Sequence, residues 1–126
     1  MSVLPQRHFT VAEYLDWAID HPGRYELHNG KIHAISPGGA GYAAAKFSVQ
    51  TALAADIRAH GLPCHLLPSG LTVRVEAATA FEPDALVYCG EELESSGLEV
   101  PNPVIVVEVL AAHAPHRHLD EIYGVL

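Results

Sequence analysis

Cysteines and basic residues are both scarce in this chain of 126 residues. Its two cysteines, Cys64 and Cys89, are 25 residues apart and form no C-x-x-C pair. This excludes a scaffold built on many disulfides and a four-cysteine zinc site. Seven lysines and arginines against fifteen aspartates and glutamates give a net charge of −8. Such a chain is not a general binder of polyanions, so contact with nucleic acid would require a local patch helped by a metal ion.

Long hydrophobic runs and a signal-type N-terminus are also missing. The longest nearly uncharged apolar run, residues 100–110, is far shorter than the roughly 20 residues that span a bilayer. We therefore expect a cytoplasmic protein with no membrane partner. Hydrophobic residues make up 49% of the chain and charged residues 17%. This globular composition, at this length, predicts one domain over residues 1–126.

The N-terminal part carries two strong local signals. Thr10 and Glu13 have the spacing of a capping box, and the apolar residues that follow predict a helix over about 10–20. Asn29-Gly30 lies between two short alternating runs within residues 24–35. This pattern predicts a β-hairpin, because both central positions of a type I′ turn need a positive φ.

The rest of the chain predicts one long helix and several strands. The helix covers about residues 42–60 and ends at Gly61 and Pro63. Short apolar runs predict further strands over residues 64–67, 71–76, 81–88 and 103–110. The last of these is apolar on both faces, as a central strand covered by helices should be. We expect an α/β fold with one mixed sheet, made of the hairpin and the core strands and flanked by the two helices.

Two carboxylates stand in unfavourable places. Asp84 begins an otherwise apolar strand, and Glu108 lies inside the most hydrophobic strand of the chain. A buried carboxylate is costly unless it is paired with a cation or hydrogen-bonded. A divalent metal ion is one natural partner for two converging carboxylates. The alternatives, that Glu108 pairs with an arginine or lies in water at a strand end, stay equally open from these residues alone.

Five segments in order resemble the PD-(D/E)XK nuclease superfamily and, more closely, its Uma-type restriction endonucleases. The resemblance covers nearly the whole chain. The segments are FTVAEYL at 9–15, RYELHNGKIHAISP at 24–37, GLPCHLLPSGLTVRV at 61–75, FEPDALVYCG at 81–90 and VPNPVIVVEVL at 100–110. The resemblance implies a restriction-endonuclease-like fold.

The resemblance also implies a role for three carboxylates. Asp84 matches the metal-binding aspartate, Glu108 the acidic residue of the (D/E)-X-K element, and Glu26 an N-terminal glutamate that would be a third ligand. The implied cofactor is Mg²⁺ or Mn²⁺, and hard oxygen ligands suit these ions. The implied partner is DNA, and the implied chemistry is hydrolysis of a phosphodiester by a metal-activated water.

The sequence departs from the family pattern where the lysine is expected. Leu110 stands two residues after Glu108, and the aligned part of the following helix offers Ile122. The histidine that often opens the family's second helix is replaced by Tyr42. Lys46 lies one helical turn after Tyr42 on the same side. We therefore take Lys46 as the best candidate for a replaced catalytic cation.

The chain also ends early relative to the family pattern. Leu126 falls inside the helix that follows the strand, and the family domain usually continues with the rest of that helix and further strands. An incomplete domain would leave the apolar strand 103–110 partly uncovered. We therefore expect a homodimer formed through the exposed C-terminal region. A nearby set of histidines forms no known metal motif and is interpreted as a polar segment: His113, His116 and His118.

Two functions from different classes follow from these features. The first is a metal-dependent DNA endonuclease, supported by the retained Glu26, Asp84 and Glu108. The alternative is a catalytically inactive nuclease-like remnant or an interaction module, supported by the missing lysine and the early end. The sequence alone does not decide between an enzyme and such a module, because a fold does not fix a substrate.

Overall fold

The computed structural model describes residues 4–110, which form an α/β fold with two helices and seven strands. In chain order the elements are α1 (Val11–Ile19), β1 (Tyr25–His28), β2 (Lys31–Ala34), α2 (Gly39–Ala59), β3 (Cys64–Pro68), β4 (Val73–Glu76), β5 (Thr79–Phe81), β6 (Ala85–Cys89) and β7 (Pro103–Val107). The predicted α/β class is confirmed. The expectations for His113, His116, His118, Ile122 and the chain's end lie outside the described residues.

The predicted capping box and hairpin are both confirmed. The Glu13 amide donates to Thr10 Oγ1 at 3.2 Å, and the Thr10 amide donates to Glu13 Oε1 at 2.9 Å. Asn29 and Gly30 have φ values of 48° and 80°, as a type I′ turn requires. A Cβ at Gly30 would lie 2.2 Å from the ring of His8, so close packing also demands glycine there.

The strands form two sheets, where the sequence predicts one. The first has the order β2-β1-β5-β4 and the second β3-β6-β7, and every strand pairing is antiparallel. The strand predicted over 81–88 is interrupted, because Pro83 has no N–H to donate to a ladder. The chain therefore leaves the first sheet after Phe81 and enters the second at Ala85.

The buried apolar side chains form two hydrophobic clusters, one within the first sheet and its helix and one between the two sheets. The first joins α1 to the hairpin and consists of Phe9, Val11, Tyr14, Leu27, Ile32 and Ala80. The second lies where β4 and β5 meet β6 and consists of Val73, Phe81, Leu86, Tyr88 and Val100. Phe81 and Leu86 belong to the same cluster although they lie on different sheets. The crossing at Glu82–Asp84 is therefore anchored on both sides by buried side chains.

Among residues 4–110 the last strand lies at the edge of its sheet, which differs from the central strand predicted over 103–110. β7 ends at Val107 and pairs only with β6 among the described residues. Val104 and Ile105 are 62% and 42% exposed. The ladder stops early because the Val109 amide donates to the side chain of Asp84.

Helix α2 lies against β3 and β6, and none of its 21 residues is buried. Its N-terminal half brings Tyr42 and Lys46 toward the start of β6, where both approach Asp84. Helix α2 therefore serves as a one-sided cover of the second sheet.

Within residues 4–110, no helix combines the length and the apolar character that a membrane span requires.

A disulfide links β3 and β6, two neighbouring strands of the second sheet. Cys64 of β3 and Cys89 of β6 are direct register partners, and their sulfurs are bonded. The sequence excludes a disulfide-rich scaffold but does not predict this single bond, because their sequence separation carries no information about register. Strand pairing alone brings the two residues together.

Reduction of the Cys64–Cys89 bond is expected to lower the free energy of unfolding by about 3 kcal/mol, because the bond closes a long loop in the unfolded chain. Urea unfolding with and without a thiol reductant measures this difference. A variant with serine at both positions is the control, and the reductant should leave its midpoint unchanged. Identical midpoints for the native chain in both conditions would contradict the prediction.

Candidate active site

Asp84 lies at the crossing between the two sheets and is fully buried. Its Oδ2 accepts the Val109 amide at 2.7 Å, and its own amide donates to the Val107 carbonyl at 2.9 Å. The side-chain amide of Gln50 donates to the Asp84 carbonyl at 2.9 Å. Both the backbone and the carboxylate of Asp84 are therefore fixed by neighbouring elements.

Two cations and a hydroxyl surround the other carboxylate oxygen of Asp84. Arg24 Nη1 lies 3.4 Å from Oδ1, and Lys46 Nζ lies 3.7 Å from the same atom. The Tyr42 hydroxyl donates a hydrogen bond to it as well. A buried carboxylate needs such compensation, since desolvation without partners is strongly unfavourable. The i, i+4 pair expected from the sequence, Tyr42 and Lys46, does face the same side of α2 and meets at Asp84.

Arg24 connects this cluster to the crossing segment. Its Nη1 donates to the Tyr42 hydroxyl at 2.6 Å, and its Nη2 donates to the Glu82 carbonyl at 3.0 Å. Its Nε lies 3.4 Å from the Glu82 carboxylate. Burial alone would lower the pKa of Arg24, but Tyr42, Asp84 and Glu82 together outweigh it and raise that pKa. Arg24 is therefore a permanent cation at this site.

Tyr42 is kept in its neutral form. Burial, and then the hydrogen bond to Asp84, raises the pKa of the Tyr42 hydroxyl, although the charge of Arg24 acts in the opposite direction. The hydroxyl therefore retains the proton that it donates to the carboxylate.

Glu108 follows β7 directly and lies near the start of β6. Ala85 and Val107 are register partners, so Asp84 and Glu108 stand just beyond that pair at the same end of the two strands. Both carboxylate oxygens of Glu108 are buried. The pairing of β6 with β7 thus brings both acidic residues to one end of the ladder, and the convergence of their carboxylates, with Glu26 nearby, stays a prediction.

Glu26 is buried on β1, opposite His33 in the hairpin. Burial of Tyr14, and then the charges of Glu82 and Glu26, raises the pKa of the Tyr14 hydroxyl. Glu26 and Glu82 therefore act on the same buried hydroxyl of α1.

The comparisons with known proteins place the chain in a family. A model of the Uma2 family, described as putative restriction endonucleases, matches residues 11–120. This chain belongs to the Uma2 family. The resemblance seen in the five sequence segments is thereby confirmed. No curated protein and no solved structure matches the chain.

The expected metal ligands of this Uma2 protein come together only in part. Asp84 and Glu108 supply hard carboxylate oxygens at one end of β6 and β7, which suits Mg²⁺ or Mn²⁺. Oδ2 of Asp84 accepts one amide and keeps a second lone pair. Across residues 4–110, no set of three or more His, Cys, Asp or Glu side chains is arranged to hold a metal ion. The three-carboxylate ligand set with Glu26 stays a prediction.

Sequence reasoning missed two members of the cluster, Arg24 and Glu82. Strand alternation puts Glu82 on the same face as Asp84 but gives no partner for it. Arg24 stands immediately before β1, and its contacts with residues 42, 82 and 84 all cross between elements. Few cations are present in the chain, so a search for the arginine nearest a buried acid would have been the available signal.

Loss of Arg24 is expected to be costly for stability. Arg24→Met removes the charge that compensates a fully buried carboxylate, and such losses cost about 3 kcal/mol of unfolding free energy. Arg74→Met is the matched control, since Arg74 pairs with Glu99 on the exposed surface, where pairs contribute at most about 1 kcal/mol. Urea unfolding of both variants in EDTA measures the difference. Equal losses would show that the Asp84 cluster does not depend on Arg24.

Proposed function

We propose that this Uma2 protein is a metal-dependent DNA endonuclease that hydrolyses phosphodiester bonds. One observation carries the proposal: a buried aspartate, a glutamate whose carboxylate oxygens are buried, and a lysine occur at one end of two neighbouring strands. Lys46 Nζ lies 3.7 Å from Asp84, and Glu108 stands at the same end of the ladder. This is the combination of acids and a cation that phosphodiester hydrolysis needs.

Asp84 and Glu108 would hold Mg²⁺ or Mn²⁺, with Glu26 as the third ligand implied by the family. A bound divalent ion supplies positive charge toward the phosphate and lowers the pKa of a bound water. The Val109 amide holds Oδ2 of Asp84, and the Gln50 side chain holds its backbone carbonyl, so the position of the aspartate is fixed.

Lys46 takes the place of the lysine that the strand lacks at Leu110. Its side chain is 18% exposed, so its ammonium group contacts the buried Asp84 and can still reach a phosphate at the surface. Its role would be to stabilise negative charge on the phosphate and to orient the attacking water. Arg24, 25% exposed, adds a second positive charge beside it.

DNA binding by a chain of net charge −8 must be local. Lys46 and Arg24 supply that local positive charge at the proposed site. A role on cellular DNA would place the protein in the cytoplasm. Disulfides rarely persist there, so we expect Cys64 and Cys89 to be reduced during such a role.

Cleavage by this protein should depend on Lys46. Lys46→Met is expected to slow cleavage of a supercoiled plasmid in Mg²⁺ or Mn²⁺ at least about 100-fold, because a charge that acts on the phosphate is lost. Lys31→Met is the matched control, since the chain has only these two lysines and Lys31 Nζ donates to the Gln6 carbonyl in an exposed place. The control should cleave like the native chain.

Two results would count against this assignment. Equal cleavage by Lys46→Met and the native chain would remove Lys46 from the site. Absence of metal-dependent cleavage by the native chain, at enzyme concentrations above that of the plasmid, would favour the non-catalytic alternative. A variant with Glu108→Gln distinguishes contamination from activity, because its cleavage should fall together with that of Lys46→Met.

The alternative function, an interaction module, is favoured by the open edge of β7. No strand pairs with that edge within the described part of the chain, and its Val104 and Ile105 side chains are exposed. An uncharged apolar edge strand favours pairing with another chain. We propose a second copy as the occupant, because an antiparallel pairing of β7 with itself would extend the sheet across a two-fold axis.

A charged side chain introduced on β7 should therefore disrupt the self-association of the 126-residue chain. The native chain is expected to sediment as a dimer, and Val104→Lys is expected to shift it to the monomer by placing a charge at the paired edge. Leu62→Lys is the control, since Leu62 is 49% exposed but follows α2. A native monomer at high concentration, or a dimer that Val104→Lys leaves intact, would contradict the proposed contact.

A further inference from the structure

A cavity of about 200 Å³ lies between α1 and the loops beside it. Part of its wall is apolar and is formed by Leu15, Ala18, Ile19, Tyr25 and Leu98. Ile19 and Leu98 are 66% and 42% exposed, so the cavity is open to solvent at this rim. A cavity of about 150 Å³ is large enough for benzene. This one therefore has room for a six-membered ring with its substituents.

Three polar side chains also line the cavity: Tyr14, Thr72 and Glu82. Tyr14 is only 4% exposed, yet within residues 4–110 no protein group accepts a hydrogen bond from its hydroxyl. A buried hydroxyl normally has a partner, because desolvation without one is unfavourable. The structure thus leaves a buried donor at the cavity, and a ligand with an acceptor atom would satisfy it.

The charges at the cavity favour a neutral ligand. Glu82 is paired with Arg24, whose Nε lies 3.4 Å from the carboxylate, so its negative charge is already compensated. Burial, and then the charge of Glu82, raises the pKa of the Tyr14 hydroxyl, which therefore keeps its proton and remains a donor. An ionised carboxylate only accepts hydrogen bonds. The cavity thus presents a hydroxyl donor together with a carboxylate acceptor.

We propose that this cavity binds a nucleobase whose amino group stands beside a ring nitrogen, as in cytosine and adenine. The amino group donates to the Glu82 carboxylate, and the ring nitrogen accepts from the Tyr14 hydroxyl. Uracil and thymine present a carbonyl and an N–H at these two positions, so both contacts are lost with them. The base comes either from a free nucleoside or from a nucleic acid strand in which it is unstacked. The proposal requires neither cleavage nor a metal ion, and it goes beyond the proposed endonuclease function.

The test is a titration of cytidine into the full chain in EDTA, with uridine as the matched ligand. Trp17 is the only tryptophan of the chain, and its ring lies 4.9 Å from the ring of Tyr25, which lines the cavity. Its fluorescence therefore reports on the occupied cavity. Cytidine is expected to bind at least about tenfold more tightly than uridine, because only cytidine matches both polar groups.

Short single strands of deoxycytidylate and of thymidylate distinguish the two sources of the base. Tighter binding of the deoxycytidylate strand than of cytidine, with weak binding of the thymidylate strand, would assign the cavity to a base within nucleic acid. Binding of cytidine without binding of either strand would assign it to a free nucleoside. Both results support the proposed class of ligand.

Two variants test the contacts. Tyr14→Phe is expected to weaken cytidine binding about tenfold, the value of one hydrogen bond, and to leave the thermal midpoint without ligand unchanged. Ala18→Leu fills the cavity without removing a polar group, so it should abolish binding even where Tyr14→Phe fails to fold. Ala12→Leu is the control, since Ala12 is exposed on the same helix and does not line the cavity.

Three results would overturn the proposal: no saturable binding of cytidine, equal binding of cytidine and uridine, or binding that Ala18→Leu leaves intact. None of them bears on cleavage, because the titrations are made in EDTA. Conversely, equal cleavage by Lys46→Met and the native chain would count against the proposed endonuclease and leave this cavity unaffected. The failures of the two proposals are therefore distinguishable.

Discussion

Neutralisation of the buried Asp84 carboxylate is the constraint on which the second half of the fold depends. The residue is fully buried, and its partners come from the segment before β1, from α2 and from the segment after β7. No single element could compensate the charge. The elements that meet at Asp84 are thus held together by the cost of leaving a buried charge without partners, in addition to apolar burial.

The sequence predicts those structural features that interactions between residues close in the chain determine. The Thr10–Glu13 capping box and the Asn29-Gly30 turn each act within a few residues, and both form as predicted. The division into two sheets could not be foreseen in the same way. It follows from Pro83, whose missing N–H interrupts a run that otherwise has the pattern of one strand. It also follows from the way the buried side chains on either side of Pro83 are divided between the two clusters.

The candidate site likewise has some features that local sequence patterns predict and others that they do not. Strand alternation and the neighbouring strands β6 and β7 were sufficient to bring Asp84 and Glu108 to one end. The helical spacing of Tyr42 and Lys46 gave their common side but not what they would contact. Arg24 escaped prediction because its partners lie 18, 58 and 60 residues away along the chain, a separation on which local patterns carry no information.

The compensation of Asp84 by protein cations bears directly on the choice between the two functions. Because Arg24 and Lys46 already satisfy the carboxylate, the fold does not need a metal ion to keep this aspartate buried. Retention of Asp84 is therefore compatible with an inactive descendant as well as with an enzyme. Partial exposure of Lys46 and Arg24 does not separate the two functions. A cation that meets a phosphate must be exposed, but a cation that only compensates Asp84 also keeps part of its hydration by staying at the surface. The geometry of the two cations is thus compatible with both.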